Sequence, residues 1–463
     1  MGTRGPAVPP TPSAVYGGPA SRRDTMPASV LGLPVRPSPP LPRSPHPARR
    51  RSPLRVVASA LLATLAACGD DTPAPTTTVE RPKPTSTPSI VMIDLSGLRH
   101  DLWTAHVLGR DARPVGARFT QALAPAGWSV PSLASIFTGW PPHEAGGVEV
   151  PYGSPAYLIP PPLTVAEMVR DEGYDTAAFV TSTVVTAASA LDQGFEGAWR
   201  EDPRPVAVAD AAAAWLAART TSTPFLLFVA LDVGGFEAPA GGDPHATWIA
   251  RSQAAEAQVT RLRAAAAKAL GPTGLEIVFS DHGVGLGEDG HPAPARGGQT
   301  TDARLRARLE IRGPGFPPAT VEGSCSLMDL LPTVRDVMGL PVDRSLAGRS
   351  LRPLAAHPQH PGLPVVAQEW RVDRDGKEAV ERRLYVVRTA TLKYVATFTP
   401  RPAGWTEEIF DLAKDPGETT PRPATDLTAY DAAFTRAITA VRDFLGGRRT
   451  HLNDEIVGGY LGR

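Results

Sequence analysis

The amino-acid sequence predicts an α/β protein with a doubly wound, mostly parallel sheet and a smaller C-terminal α+β subdomain of antiparallel strands. Three observations lead to this fold class. Continuous apolar runs, which fit strands buried on both faces, alternate with segments of helical periodicity. Polar residues follow these runs directly, as at the ligand-binding edge of such sheets. Beyond about residue 365 the pattern changes to short strands followed by one helix, which favours a second, smaller unit.

The large domain is predicted to span residues 89–364. Its predicted strands cover 89–95, 176–180, 225–231 and 275–280, and its predicted helices cover 163–172, 208–219 and 247–270. This alternation favours parallel strands joined by helical crossovers. The C-terminal subdomain, residues 365–463, is predicted to contain strands 383–388, 393–398 and 408–412 and a helix over 427–445.

Residues 1–48 have a composition that does not predict folded structure. The first 50 residues contain 13 of the 51 prolines and a single acidic residue, Asp24, and they show no periodicity. Such a segment buries too little apolar surface to offset the entropy lost on ordering. We expect disorder there, in a segment that the mature protein need not contain.

Residues 49–68 resemble a bacterial lipoprotein signal peptide. Arginines precede a run of 12 mostly apolar and small residues, 56–67, which ends in a lipobox-like Leu-Ala-Ala-Cys at Cys68. The run is too short to span a bilayer. The resemblance implies cleavage before Cys68, lipidation of its thiol and an exported protein anchored to the bacterial cell envelope. The alternatives are a plain secretory signal and a short anchor. The Pro/Thr-rich residues 69–88 are expected to form a linker.

Charge and cysteine content exclude several classes of protein. Lys plus Arg and Asp plus Glu both total 47, so no excess positive charge predicts nucleic-acid binding. With Cys68 lipidated, Cys325 is the other of the two cysteines, and no intrachain disulfide is expected. The sequence has no P-loop and no His-Glu-x-x-His motif. It also has no Gly-x-Ser-x-Gly elbow, so a serine hydrolase with a catalytic triad receives little weight.

Three polar clusters lie at strand ends, and their members include Asp94, Ser129 and the adjacent pair Asp281 and His282. The carboxyl ends of parallel strands share one edge of a sheet, so we expect these side chains to lie close together. A carboxylate and an imidazole on adjacent residues are suitable ligands for a divalent cation. The alternative is a strand-end Asp that forms a turn beside a surface His.

Ten stretches between about residues 88 and 420 match one known family in the family's own order. They are PSIVMIDLSGLRHD, RFTQALAPAGWSVPSLASIFTG, LTVAEMVRDEGYDTAAFV, LDQGFE, IVFSDHGVGLGEDG, LEIRGPG, LMDLLPTVRDVMGLPV, LAGRSLRPL, LKYV and EIFDLAKDPGE. The chain thereby resembles the sulfatase family of the alkaline phosphatase superfamily. This resemblance implies a doubly wound α/β domain, a smaller antiparallel domain, and hydrolysis of sulfate or phosphate esters at a metal-held nucleophile.

Ser129 stands where the family carries its nucleophile. The family signature there is Cys or Ser, any residue, Pro, any residue, Arg; Ser129 and Pro131 match it, and Leu133 replaces the Arg. Because that Arg belongs to the signal for oxidising the nucleophile to formylglycine, formylglycine is not expected. Pro131 suits a first helical turn and Gly139 a helix end. Ser129 is therefore expected near a helix N-terminus, where free N–H groups favour an anion.

Two family positions for metal-binding Asp residues after the first strand hold Ser96 and Gly97 in this chain. Asp94 lies two residues earlier and points to the same face of the strand, so it is the remaining candidate ligand beside Asp281 and His282. The cofactor expected from the resemblance is Ca²⁺ or Mg²⁺, held weakly or not at all.

The family's histidine positions also differ. Asp232-Val233-Gly234 stands where the family often has Asp-Pro-His. Aligning Asp302 with the family's Asp puts Arg296 at a second family histidine, and His291, five residues upstream, is the other candidate for that role. Arg99 and Lys393 also fall on positions that the family carries; the alternative for Lys393 is a solvated strand residue.

These residues lead to two hypotheses of different classes. The leading one is a lipid-anchored hydrolase of a small sulfate or phosphate ester. In it Ser129 attacks the ester, Asp281 and His282 hold a divalent cation, and Arg296 neutralises the transferring anion. The second is a protein of the same fold that binds an anionic ligand or partner without turnover, suggested by Ser96 and the replaced histidines.

Overall fold

Two β-sheets organise the chain, which the computed structural model describes over residues 83–109, 112–146, 163–219, 223–239, 242–288, 293–375, 378–400 and 403–446. The larger sheet has eight strands: β1 (Ile90–Ser96), β2 (Ala117–Leu123), β3 (Asp175–Thr181), β4 (Ala198–Asp202), β5 (Phe225–Asp232), β6 (Leu275–Phe279), β7 (Arg306–Arg312) and β8 (Ala319–Ser326). Their order is β4-β3-β5-β1-β6-β7-β2-β8. Strand β7 runs antiparallel to β6 and β2, whereas the other neighbours are parallel.

Helices lie against both faces of this sheet. They are α1 (His100–Leu102), α2 (Ser129–Thr138), α3 (Pro142–Ala145), α4 (Val165–Asp171), α5 (Pro205–Ala217), α6 (Pro244–Leu270), α7 (Asp302–Leu305), α8 (Leu330–Val337) and α9 (Arg352–Ala356), with a π-helical turn, Trp103–Val107, after α1. Alternate residues of β1 enter different cores: Ile90 and Met92 belong to one cluster, and Val91 and Ile93 to another. Every residue of β1 is buried, as expected for a central strand of a doubly wound sheet.

The second sheet is antiparallel and C-terminal. It contains β9 (Val365–Asp375), β10 (Glu378–Arg388), β11 (Leu392–Pro400), β12 (Ala403–Asp411) and β13 (Arg422–Pro423), in the order β13-β12-β11-β10-β9. One further helix, α10 (Ala432–Leu445), contributes to the same apolar cluster as residues of β10 and β11. The predicted fold class is therefore confirmed: a mostly parallel α/β sheet is followed by a smaller antiparallel unit.

Several strands were not predicted, and β7 shows why. Its sequence, RARLEIR, carries charges that do not fit an apolar strand buried on both faces. In the structure, however, Arg308 is 1% exposed and its Nη2 lies 2.7 Å from Glu310 Oε2. The charges are buried because they pair with each other, which periodicity does not reveal. The other strands without a sequence prediction are β2, β4, β8, β9 and β13.

Cys325 lies in β8 with no exposed surface and forms no disulfide. Burial raises the pKa of its thiol well above the usual range, because an apolar environment disfavours the thiolate. Cys68 and the rest of the predicted signal segment lie outside the described residues. Within the described part of the chain, none of the helices has the length and apolar character that crossing a bilayer requires.

Candidate functional site

Polar side chains gather at the carboxyl edge of the three central strands β5, β1 and β6. Ser96 and Asp232, the last residues of β1 and β5, are register partners, and Asp94 is level with Phe279 at the end of β6. The chain leaves β6 through Ser280, Asp281 and His282, all without exposed surface. This is the edge at which ligands bind in parallel α/β sheets.

Helix α2 brings Ser129 to this edge. The helix begins at Ser129 and ends at Gly139, whose φ of 67° is a left-handed conformation that glycine adopts without strain. Ser129 is 6% exposed. Ser132, one turn further on, donates from Oγ to the Asp281 carbonyl oxygen at 2.6 Å. This bond fixes the first turn of α2 against the segment after β6, so Ser129 and His282 keep a defined separation.

Three polar atoms meet at the centre of the site. Ser129 Oγ lies 3.0 Å from Ser96 Oγ and 3.2 Å from His282 Nε2. Ser96 Oγ lies 3.4 Å from the same nitrogen. His282 Nδ1 faces the carbonyl oxygen of Gly283, so Nδ1 carries the ring proton and Nε2 presents a lone pair. Burial lowers the pKa of His282, which favours the neutral ring.

Asp94 and Asp281 place uncompensated oxygens beside this centre. Asp94 Oδ1 accepts a hydrogen bond from the backbone N–H of Asp281 at 2.8 Å. Asp94 Oδ2 and both carboxylate oxygens of Asp281 are buried and have no hydrogen-bond partner among the described residues. Burial, reinforced by the charge of Asp281, raises the pKa of Asp94 well above its usual range. Burying carboxylate oxygens without a hydrogen-bond donor is unfavourable unless a cation lies beside them.

Arg296 supplies positive charge on the β5 side of the site. Its Nη2 donates to Asp232 Oδ1 at 2.6 Å, and Thr183 Oγ1 donates to Asp232 Oδ2 at 2.5 Å. Burial and nearer groups have the larger effects on the pKa values of Asp94 and His282. The Arg296 charge has a smaller effect and lowers both values. The Arg296 side chain is 30% exposed, so a soluble anion can reach it.

Two residues singled out from the sequence are engaged elsewhere. Arg99 Nε and Nη2 bind both carboxylate oxygens of Asp101, at 2.8 and 2.6 Å, and its Nη1 donates to the Val284 carbonyl oxygen. Lys393 is fully buried and its Nζ lies 2.7 Å from Glu418 Oε2. The expectation that Lys393 could be a solvated strand residue is therefore wrong. His291 lies outside the described residues.

The surface alternative for the Asp281-His282 pair is also wrong, because both side chains are fully buried. The fit of a cation here can be tested from the donor atoms. Neighbouring ligands of an octahedral Ca²⁺ or Mg²⁺ lie about 2.9–3.5 Å apart. The two hydroxyl oxygens and the imidazole nitrogen are 3.0–3.4 Å apart, and Asp281 Oδ1 lies 3.6 Å from His282 Nε2. The Nδ1–H bond to Gly283 is also typical of a metal-bound histidine.

The donor set is short of charge. No group of three or more His, Cys, Asp or Glu side chains arranged for a metal occurs among the residues that the structure describes. Hydroxyls of Ser96 and Ser129 stand where charged ligands would bind more tightly. The residues still fit a divalent cation if Asp281, His282 and the serine oxygens are its protein ligands. Water or substrate oxygens would then complete its coordination shell.

Sequence reasoning missed Thr183, Ser132 and Glu369, which support the site without belonging to a motif. Glu369 in β9 accepts hydrogen bonds from the backbone N–H of Gly127, at 2.7 Å, and of Trp370, at 2.9 Å. A signal for Glu369 exists in the sequence VVAQEW, where a carboxylate interrupts a run of apolar strand residues. Thr183 and Ser132 carry no such signal, because short hydroxyl side chains are common in loops and first helical turns.

Comparison with known proteins supports the fold. No family model matches the chain. A delta 4,5-hexuronate-2-O-sulfatase of Bacteroides thetaiotaomicron is 30% identical over 149 residues, covering 31% of this chain and 29% of that protein. Human arylsulfatase K is 30% identical over 123 residues, covering 26% of this chain and 22% of that protein. The matched segments thus span less than a third of these two relatives.

Solved structures match over a longer range. A 2-O GAG sulfatase superposes with a TM-score of 0.59 at 18% identity, covering 81% of this chain and 94% of that chain. The phosphonate monoester hydrolase of Agrobacterium radiobacter superposes with a TM-score of 0.56 at 20% identity, covering 79% of this chain and 96% of that chain. At these identities the likeness shows a sulfatase-like fold, which sulfate and phosphonate ester hydrolases share.

Proposed function

We propose that this chain, with its sulfatase-like fold, hydrolyses sulfate or phosphate monoesters or diesters through Ser129. The observation that supports this most directly is the position of Ser129 Oγ, which lies at the start of α2 and 3.2 Å from His282 Nε2. The free N–H groups of the first helical turn favour an anionic substrate there. Arg296 adds a guanidinium that can neutralise the transferring group.

The proposed reaction has two steps. Ser129 Oγ gives up its proton and bonds to the sulfur or phosphorus, while the bond from that atom to the ester oxygen breaks and the leaving oxygen takes up the proton. Water then cleaves the ester on Ser129 and restores the hydroxyl. A divalent cation held by Asp281 and His282 would lower the pKa of the Ser129 hydroxyl and polarise the transferring group. Ser96 keeps the Ser129 hydroxyl oriented, and Asp94 keeps Asp281 in place through the Asp281 N–H.

The test is hydrolysis of 4-nitrophenyl sulfate, 4-nitrophenyl phosphate and bis(4-nitrophenyl) phosphate by the purified protein. Ser129→Ala is expected to lower kcat/KM by about a thousandfold or more. Ser135→Ala is the matched control, because Ser135 is a fully buried serine of the same helix outside the site. Equal activity of Ser129→Ala and wild type on every ester would refute the proposal.

A chelator separates the two uses of His282 Nε2, since one lone pair binds either a cation or the Ser129 proton. Loss of activity with EDTA, restored by Ca²⁺ or Mg²⁺, supports the cation. Activity that resists EDTA and falls with protonation of a histidine supports a Ser129–His282 pair acting alone.

A second function is favoured by one observation, the absence of a group of three charged metal ligands among the described residues. Under this alternative the protein binds a sulfated or phosphorylated ligand without turnover. Calorimetry with inorganic sulfate and phosphate distinguishes the two. Stoichiometric anion binding that Arg296→Ala removes, with no hydrolysis of any of the three esters, supports the binding function.

We also propose that the protein is exported and anchored to the bacterial cell envelope through a lipid on Cys68. The basic, apolar and lipobox-like residues 49–68 support this. A Cys68→Ser variant is expected to leave the membrane fraction, whereas Cys325→Ser, which changes only the buried cysteine, is expected to stay there. Membrane association of Cys68→Ser equal to wild type would refute the anchor.

A further inference from the structure

A buried carboxylate of the C-terminal sheet contacts the backbone of two loops that carry site residues. Glu369 lies in β9 and has no exposed surface. Its Oε2 accepts from the Gly127 N–H at 2.7 Å and its Oε1 from its neighbour Trp370 at 2.9 Å. The N–H of Gly298 also donates to this carboxylate. Glu369 therefore binds two loops whose glycines, Gly127 and Gly298, are 171 residues apart in the sequence.

These loops carry the two groups that the proposed reaction needs. Gly127 precedes Ser129 by two residues, and Gly298 follows Arg296 by two residues. The loops also contact each other directly, because the Gly297 N–H donates to the Gly127 carbonyl oxygen at 2.8 Å. Glu369 is thus the point at which the backbone before the nucleophile and the backbone after the guanidinium are held together.

The fit around the carboxylate leaves no room for a side chain at position 127. A Cβ placed on Gly127 would lie 2.6 Å from Glu369 Oε2, closer than real contacts allow. Gly297 has a φ of 62°, and a Cβ there would lie 3.4 Å from Trp128 Cδ1 and 3.5 Å from Glu369 Oε1. Glycine at position 127 lets that backbone approach the carboxylate directly, whereas glycine at position 297 is favoured by its left-handed conformation.

Burial of Glu369 makes its ionised form less favourable than it is in water. Burial raises the pKa of Glu369 to about 7, although the three N–H groups and the nearby Arg304 charge lower it in part. Arg304 is itself bound to the second loop, donating to the carbonyl oxygens of Ala295 and Gly297 at 2.9 and 2.7 Å. Gln368, the residue before Glu369 in β9, is hydrogen-bonded to the His143 ring. A buried ionised carboxylate that mainly served stability would be better replaced by a neutral acceptor.

We propose that Glu369 is a positioning residue that sets the separation of Ser129 and Arg296 by holding the Gly127 and Gly298 N–H groups on one carboxylate. This inference rests on the proposed function of the same site. Protonation turns one acceptor oxygen into a donor, so one of the N–H groups loses its partner and the two loops separate. Activity then depends on the ionised form of Glu369.

The first test is the pH dependence of kcat and KM for the full chain. Wild type is expected to lose activity on acidification with an apparent pKa of about 7. Glu369→Gln, which resembles the protonated form, is expected to have kcat lowered about tenfold or more above that pH and no such acidic limb. Glu369→Asp keeps the charge and should recover the limb in part. Glu407→Gln is the control, since Glu407 is a carboxylate of the same sheet bonded to Arg442 and Tyr394.

The second test does not depend on turnover. Amide hydrogen exchange is followed in residues 125–130 and 296–300 of wild type, Glu369→Gln and Glu407→Gln. The inference expects exchange in both stretches to be faster by about tenfold or more in Glu369→Gln alone. Unchanged exchange in either stretch, or a wild-type acidic limb retained by Glu369→Gln, overturns the inference. If exchange in both stretches is faster in Glu369→Gln but the wild-type protein hydrolyses no ester, the positioning role of Glu369 is supported. The proposed hydrolytic function is then refuted.

Discussion

Ser96 Oγ lies 3.0 Å from Ser129 Oγ, so a neutral hydroxyl at the end of β1 is the nearest polar neighbour of the proposed nucleophile. The sulfatase resemblance places a carboxylate at position 96. The hydroxyl orients Ser129 but adds no negative charge, which makes the site less dependent on a cation than a full set of carboxylates would be.

We expect Ser96→Asp to make folding depend on a cation. The new carboxylate joins Asp94 and Asp281 where all three are buried, so their repulsion should destabilise the cation-free protein by roughly 3 kcal/mol. Thermal unfolding in EDTA and in excess Ca²⁺ or Mg²⁺ measures the effect, with Ser96→Ala as the control. Identical melting of Ser96→Asp in both conditions would contradict this expectation.

Arg296 is expected to act mainly on substrate binding. Arg296→Ala should raise KM for an anionic ester by about tenfold or more, because a charge-assisted contact to the substrate is lost. Arg296→Lys should recover part of the loss, since a charge remains without the planar fork. Arg204→Ala is the control, because Arg204 pairs with Asp202 on the surface with its side chain 75% exposed. Steady-state kinetics that show a normal KM for Arg296→Ala would argue against substrate contact.

Glu369 should leave a signature in the pH dependence of stability. Its pKa in the folded chain, about 7, is above the ordinary value of 4.5. The folded state therefore binds this proton more tightly, and the contribution of Glu369 is complete below pH 4.5 and falls as the pH rises through about 7. The total loss is about 3 kcal/mol.

Denaturant unfolding of wild type and Glu369→Gln measures this effect. The wild-type free energy of unfolding minus that of Glu369→Gln should decrease with rising pH across this range. Other titrating groups largely cancel in the difference. A difference that stays constant with pH would show that Glu369 has an ordinary pKa.

Lys393 is expected to matter mainly for stability. Its ammonium lies between Glu418, at 2.7 Å, and Asp302, at 3.5 Å. Lys393→Met should destabilise the protein by about 3–5 kcal/mol, because two largely buried carboxylates lose a partner. Adding Glu418→Gln should restore part of the loss. Denaturant unfolding of wild type, Lys393→Met and the double variant tests this, and equal stability of Lys393→Met and wild type would contradict the expectation.

Much of the fold can be predicted from continuous apolar runs, because such runs indicate buried strands without knowledge of the tertiary contacts. Strands β1, β5 and β6 are predicted because each contains few polar residues. In the structure every residue of these strands is buried. Helix α4 was predicted by its spacing, and its start is fixed by Thr164, which accepts from the Glu167 N–H in a capping box. Helix α10 begins at Ala432, five residues later than predicted, after Asp431 caps it.

The site was predictable only where a side chain belongs to a motif at a strand end. Ser129 and His282 each belong to such a motif, and Ser129 Oγ lies 3.2 Å from His282 Nε2. Arg99 could not be resolved from the sequence, because its binding to Asp101 depends on the turn after β1. Thr183 and Glu369 act through backbone and carboxylate contacts made across the fold. Such contacts have no fixed spacing in the sequence.

The burial of Cys325 has a practical consequence for following the fold. Its thiol lies inside β8 with a raised pKa, so a maleimide reagent modifies it only when the sheet opens. In a chain where Cys68 is replaced by Ser, the modification rate therefore reports transient opening of the large sheet. Each variant can then be ranked for hidden loosening of the core before its catalysis is interpreted.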